Sequence, residues 1–290
     1  MPARFERLPP DAATMLERSR GVFFARWEEL LRLRRVVITT SDPDDIHDLR
    51  VASRRFRAAL ELFYPFDPKS SKAKLRKSVR SLTRILGGLR NIDEALLFFQ
   101  ARVSSSEPGD SRICQILSEQ RSRELRRIIK AIKAFDHHDL DQTVREMVAG
   151  LNQKQIERRN RFSLLAYFSE VSIKLYLPIH SSGALAIVPD HQKPRHALRI
   201  AIKKWRYFLE IMAQVLDRDY GQILELLREH QSLLGRMNDL VVFGELFRNL
   251  DLPRNEQIEL TDLLKKEEEL LLENFRELVL HKPVNYTFLI

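Results

Sequence analysis

Apolar residues recur along most of the chain every three or four positions, with polar residues between them, which is the period of an amphipathic helix. From Ala13 to Val37 the apolar positions are Leu16, Phe23, Phe24, Trp27, Leu30 and Leu31. Ser41-Asp42-Pro43-Asp44-Asp45 reads as a helix start, with Asp42 as the cap and Pro43 in the first turn. The helix it opens runs to about Tyr64, where Pro65 and Pro68 end it. The pattern predicts further helices over Lys69–Leu86, Asn91–Val103, Ser111–Phe135 and Leu140–Asn152, with a break at Gly87-Gly88. It then predicts helices over Arg161–Leu177, Pro194–Leu216, Tyr220–Leu234, Asp239–Leu250 and Arg254–Leu280. Ser104–Asp110 and Ser181–Pro194 read as loops, and the tail from His281 carries Tyr286, Phe288, Leu289 and Ile290 for docking on the body. No run alternates as a half-buried strand does, and glycine numbers only 9 in 290 residues. The expected fold class is all-α.

The pattern also repeats. HDLRVASRRFRAALELF, from His47, and HALRIAIKKWRYFLEIM, from His196, align without gaps. His47/His196, Leu49/Leu198, Arg50/Arg199, Ala52/Ala201, Arg57/Arg206, Leu60/Leu209 and Glu61/Glu210 are identical pairs, and Arg54/Lys203 and Arg55/Lys204 are both basic. Each copy is followed by a second shared stretch, LGGLRNID from Leu86 and LGRMNDLV from Leu234. Identity in the same order twice indicates a duplicated unit, with halves 1–155 and 156–290.

Placed on a helix, His47, Arg50, Arg54, Arg57 and Glu61 fall within about 80° of one another, and Leu49, Phe56, Leu60 and Phe63 lie opposite. The second copy repeats this with His196, Arg199, Lys203, Arg206 and Glu210 against Leu198, Trp205, Leu209 and Met212. Each helix therefore has one core face and one cationic face. A solvated charged face usually alternates Glu with Lys, whereas like charges at i,i+4 cost stability. Their recurrence in both copies points to a bound anion. Lys72, Arg76 and Arg80 form a further basic stripe, as do Arg123, Arg126 and Lys130. The formal net charge is +9, of which residues 1–150 hold +8 and residues 151–290 hold +1. The anion grip is thus expected to lean on the first half.

Cys114 is the only cysteine, so no intrachain disulfide is possible, and no apolar stretch approaches the ~20 residues that span a bilayer. Met1–Asp11 lacks the apolar core of a secretion signal. The chain reads as a cytoplasmic protein without a membrane partner.

H-x-L-R-[VI]-A-x-[RK]-[RK]-x-R, followed by L-G-x-[LM]-[RN]-[ND], resembles the CHAD family, the conserved-histidine α-helical domains. The resemblance covers roughly residues 10–280. It implies two four-helix-like bundles related by a pseudo-two-fold axis, with a basic channel or surface between them. It also implies binding of inorganic polyphosphate, and with it an association with polyphosphate granules. Carried over by position, the family histidines are His47 and His196, and the basic positions are Arg50, Arg54, Arg57, Arg199, Lys203 and Arg206. The first copy departs from the family, reading Arg90-Asn91 where Arg-Asp is usual, and the second reads Asn238-Asp239. The Glu-x-Glu-x-Lys signature of the triphosphate tunnel domain that often accompanies the family does not occur, so triphosphate hydrolysis is not implied.

The residues fit that ligand on their own chemistry. Arg forks hold phosphate oxygens in pairs and Lys supplies point charge. Aromatic residues beside the basic rows are sparse apart from Tyr207, which argues against a single-stranded nucleic acid in need of stacking platforms. Two other readings remain open: a nucleic-acid binder, on charge, and a phosphohistidine relay or enzyme. His47-Asp48-Leu49-Arg50 partly resembles the H-x-L-K-G helix of phosphotransfer domains, but Val51 stands where the glycine would be. The histidines also have a structural alternative, bonding a helix end or an acid such as Asp93 or Asp239. His137-His138 and His191/His196 lack the spacing of shared metal ligands. No phosphate loop or nucleophile elbow occurs, and neither a cofactor nor catalysis is expected.

Overall fold

The computed structural model describes residues 9–66, 71–102, 112–152, 163–248, 250 and 252–288. These residues are helical almost throughout. The α-helices are α1 (Ala12–Thr40), α2 (Pro43–Phe63), α3 (Ser71–Arg102), α4 (Arg112–Lys133), α5 (His137–Gly150), α6 (Leu164–Ala186), α7 (Gln192–Leu216), α8 (Gly221–Arg248) and α9 (Arg254–His281). No strand occurs among the described residues.

The helix starts follow capping chemistry. Asp42 accepts a hydrogen bond from the Asp44 amide at 2.8 Å and Pro43 opens α2, as its sequence suggests. Asp11 caps α1 and Ser163 caps α6 in the same way. Ser41 ends α1 in the left-handed region at φ 54°, which turns the chain sharply into α2.

Three expected boundaries are corrected. Helix α3 runs straight through Gly87-Gly88, and α8 runs straight through Leu234-Gly235. A helical glycine costs only about 1 kcal/mol, and here the burial of Leu82, Leu86 and Leu89 on one stripe outweighs it. Gly88 has a packing reason as well, since a Cβ there would lie 2.9 Å from the Glu124 carboxylate of α4. The third correction is at Pro178. Helix α6 continues past it to Ala186, so most of the expected Ser181–Pro194 loop is helical. The loops at 104–110 and the start at Arg161 fall outside the described residues.

Each half lays its helices together in the same order. Helix α2 packs between α1 and α3, and α3 packs on α4; α7 packs between α6 and α8, and α8 packs on α9. The halves meet where α2 touches α7, α3 touches α8, and α1 reaches both α6 and α7. One continuous core runs through both, with Phe23, Trp27, Phe56 and Phe63 on one side and Trp205, Phe208 and Phe275 on the other. Tyr167 on α6 ties them further, donating to the Leu62 carbonyl at 2.6 Å. The tail docks on the second half. Tyr286 stacks on Trp205 with centroids 6.1 Å apart, and Phe288, 3% exposed, packs against Phe208 and Tyr220. Leu289 and Ile290 lie outside the described residues.

Candidate functional site

Burial of the apolar faces of α2 and α7 decides where their other faces point. Leu49, Phe56 and Leu60 are buried on α2, and Leu198, Trp205 and Leu209 on α7. Helical spacing then turns Arg50, Arg54 and Arg57, and Arg199, Lys203 and Arg206, away from those cores. Because α2 and α7 touch, the two basic faces converge. Lys203 feels the charges of Arg54, Arg199, Arg50 and Arg57, while Arg54 feels Arg206, Arg90 and Arg57. All six residues expected from the repeat are half-buried members of one cluster, joined by Arg90 from α3.

Three carboxylates face this cluster. Asp239 on α8 takes both guanidinium nitrogens of Arg90, one of them at 2.6 Å, and Glu94 lies 3.3 Å from Arg90. Glu210 pairs with Arg206 at 3.0 Å and with Arg55 at 3.4 Å. The Tyr207 ring sits beneath the cations, 5.8 Å from the Arg54 guanidinium and 4.9 Å from that of Arg206. Positive charge remains in excess. The Nε atoms of Arg54, Arg199 and Arg206 are buried with no hydrogen-bond partner among the described residues.

That excess shows in the protonation equilibria. Burial, then Arg54 and Arg90, pulls Arg50 down to about 10. Burial lowers Arg54 and Arg199 as well. Lys203 falls furthest, to about 7, through burial and its four arginine neighbours. Arg90 goes the other way, because the hydrogen bonds and charge of Asp239 outweigh its burial. An incoming anion would relieve the first four and compete with Asp239 for the fifth.

The cluster opens into a run of cavities. One of about 500 Å³ is lined by Arg50, Arg54, Arg90, His196, Arg199 and Asp239. It shares Arg50 and Arg90 with a second, of about 490 Å³, that reaches His47 and Arg121. It shares His196 and Asn238 with a third, of about 410 Å³. The repeat's two histidines therefore stand towards opposite ends of the run, each on the fifth residue of its helix. Neither takes the acidic partner considered for it. Asp93 instead binds Arg121 at 2.7 Å, Asp239 binds Arg90, and His196 Nδ1 meets the Asn238 side-chain oxygen at 2.9 Å.

The flanking stripes fare differently. Lys72 is only 1% exposed and points into the core, so it does not belong to a surface track. The reason is legible in its spacing, since Lys72 precedes Leu75 by three residues and Val79 by seven and shares their apolar stripe. Arg76 and Arg80 are exposed; Arg76 pairs with Glu61 at 2.7 Å and lies over the Tyr64 ring. Arg123, Arg126 and Lys130 are exposed on α4, which packs on α3 and α1. Sequence reasoning missed Arg90 and Asp239 as partners. The expected break at Gly87-Gly88 hid that Arg90 lies on the same side of α3 as Arg76.

The model of the CHAD domain family matches residues 22–248. No curated protein matches the chain. Among solved structures, the CHAD domain from the plant Ricinus communis is 23% identical, with a TM-score of 0.66 over 98% of this chain and 93% of that one. PptA from Streptomyces chartreusis is 16% identical, with a TM-score of 0.63 over 92% of this chain and 98% of its own. At these identities the neighbours establish the helical fold, and no described helix is long and apolar enough to cross a membrane. The match spans both copies of the histidine motif and the stretches that follow them, and by it the chain belongs to the CHAD domain family.

Proposed function

We propose that this protein binds inorganic polyphosphate in the cleft between α2 and α7, as a cytoplasmic receptor without catalytic turnover. The observation that carries this reading is the half-buried convergence of Arg50, Arg54, Arg199 and Lys203, with guanidinium donors left unpartnered. Like charges gathered out of water are costly unless something neutralises them. Three carboxylates fall short of seven cations, so the remaining compensation comes from outside. A flexible polymer of phosphates supplies closely spaced charge and fits a run of cavities better than one compact anion. Family membership supports the same ligand, since the resemblance implies polyphosphate.

Single-stranded nucleic acid fits less well. Tyr207, the aromatic ring within the cluster, is 5% exposed and serves as a floor for arginines, not as a stacking platform. The test is a titration of the purified protein with long polyphosphate, duplex DNA, RNA and ATP, matched in phosphate concentration and salt. Polyphosphate is expected to bind tightest, and its affinity to fall by on the order of one log unit per neutralised phosphate for each tenfold rise in salt. Nucleic acid binding as tightly as polyphosphate at physiological salt would overturn the reading.

A further inference from the structure

The two ends of the cavity run differ in chemistry. Under the internal repeat Asn238 stands where the first copy has Arg90, Met237 where it has Leu89, and Val241 where it has Asp93. The cavity at the His47 end is accordingly charged: Arg90, Asp93 and Arg121 line it, and Asp93 binds Arg121 at 2.7 Å. The cavity at the His196 end is walled by Ala197, Ile200, Leu234, Met237 and Val241. Leu234 and Met237 are buried, Ile200 and Val241 are half-buried, and Ala197 is exposed. Arg195 and Glu268 also line it but neutralise each other at 2.8 Å.

This apolar cavity adjoins the cationic one. His196 and Asn238 belong to both linings, and His196 Nδ1 meets the Asn238 side-chain oxygen at 2.9 Å. The joined pair thus stands between a phosphate side and an apolar side. Arg199 follows His196 by one turn of α7 and lines the cationic cavity, where its Nε, like that of Arg54, is buried without a partner among the described residues. Ile200 also follows His196 by one turn and lines the apolar cavity. A guanidinium and an aliphatic wall therefore lie within about 6 Å of the same ring along the helix axis. Polyphosphate gains nothing from that wall, because each of its units is charged and aliphatic side chains offer neither donor nor counter-charge. A ligand gains from both cavities when it joins phosphate to a hydrocarbon. The apolar cavity, of about 410 Å³, has the size of a small-molecule site, ~300–1,000 Å³.

We propose that the His196 end of the cleft is a binding site for alkyl diphosphates, with the diphosphate on Arg54 and Arg199 and the hydrocarbon against Ile200, Met237 and Val241. The inference rests on the anion-binding reading of the cationic cluster. The lining suits a hydrocarbon better than a nucleobase. No aromatic ring besides the His196 imidazole borders the cavity for stacking, and the Asn238 acceptor is already taken by His196. Alkyl diphosphate and polyphosphate need the same two arginines, so they exclude each other. The smaller ligand then sets how much of the protein is open to the polymer.

The test titrates the full-length protein by calorimetry with geranyl diphosphate, inorganic pyrophosphate and ADP at one salt concentration. Geranyl diphosphate is expected to bind about tenfold tighter than pyrophosphate or ADP, since it alone adds hydrocarbon burial to the shared head group. Long polyphosphate should displace it. Ala197→Phe fills the cavity from an exposed position, and Val241→Thr puts a hydroxyl in place of a methyl group. With helicity confirmed by circular dichroism, each should reduce the preference several-fold and leave pyrophosphate affinity as it is. Equal affinity for geranyl diphosphate and pyrophosphate, or a preference that both variants leave unchanged, would overturn the inference, and polyphosphate binding in the same protein would leave the binding function standing. ADP binding as tightly as geranyl diphosphate would overturn the hydrocarbon assignment. Failure of pyrophosphate and polyphosphate alike to bind would remove both readings.

Discussion

Arg90 on α3 and Asp239 on α8 form a two-pronged ion pair that joins the two copies of the repeat inside the cationic cleft. Asp239 is 7% exposed, and its two oxygens fill the guanidinium fork as a phosphate would. Under the internal repeat, Arg90 corresponds to Asn238 and Asp239 to Asn91, so the counterpart pair is neutral. At this one position the cleft is therefore charge-paired on one side of its centre and neutral on the other.

Asp239→Asn removes this internal competitor. Polyphosphate affinity should rise, measured by titration at fixed salt, while stability in urea falls by about 1–3 kcal/mol because a half-buried arginine loses its main partner. Weaker binding together with lower stability would show that Asp239 holds the site in shape and does not compete for it.

Lys203 sets the pH response. Its folded pKa is depressed to about 7 from 10.5, so between those values the unfolded chain holds the extra proton and stability of the free protein rises with pH. A bound polyanion favours the ammonium form, so binding takes up a proton and affinity should fall as pH rises from 7 to 9. Lys203→Met should flatten the profile. An unchanged slope in that variant, read by titration at several pH values, would contradict the assignment.

Much of this was legible in the sequence, because helix phase is a local property. The apolar stripe ending in Phe63 and the basic stripe through Arg50, Arg54 and Arg57 follow from spacing alone, and the repeat located their counterparts. What spacing cannot give is which faces meet. The pairing of Arg90 with Asp239 and the floor made by Tyr207 depend on α2 meeting α7 and α3 meeting α8. Gly87-Gly88 and Leu234-Gly235 misled because the buried leucines around them outweigh glycine's small preference for ending a helix. Lys72 stands at i+4 to Arg76 and so shares its basic spacing, but its phase with Leu75 and Val79 decides its burial.

Arg76 lies 14 residues before Arg90 on α3, about 21 Å along the helix axis. Arg76 and Arg80 can therefore meet a polymer that already fills the cleft but not a short one. Reversing both to Glu should leave tripolyphosphate affinity unchanged and weaken long chains several-fold, by roughly 1 kcal/mol for such exposed charges. Equal losses for short and long chains, measured side by side, would remove the extended track.

The tail is a structural strap. Phe288→Ala empties a buried position against Phe208 and Tyr220 and should cost about 3 kcal/mol in urea unfolding. Polyphosphate affinity of the folded variant should stay as in the parent protein, since the tail docks away from the cationic face. A variant of unchanged stability would show that the tail contributes nothing to the fold.

The central claim is that the two copies hold one polymer between them. Calorimetric titration with a medium-length polyphosphate tests it on two variants, Arg50, Arg54 and Arg57 reversed to Glu, and Arg199, Lys203 and Arg206 reversed to Glu, with helicity checked by circular dichroism. Each lost charge-assisted bond is worth about 1.5–3 kcal/mol, and each reversal adds repulsion. Both variants should therefore lose measurable binding, to a similar degree. Full affinity in either one would contradict a shared site.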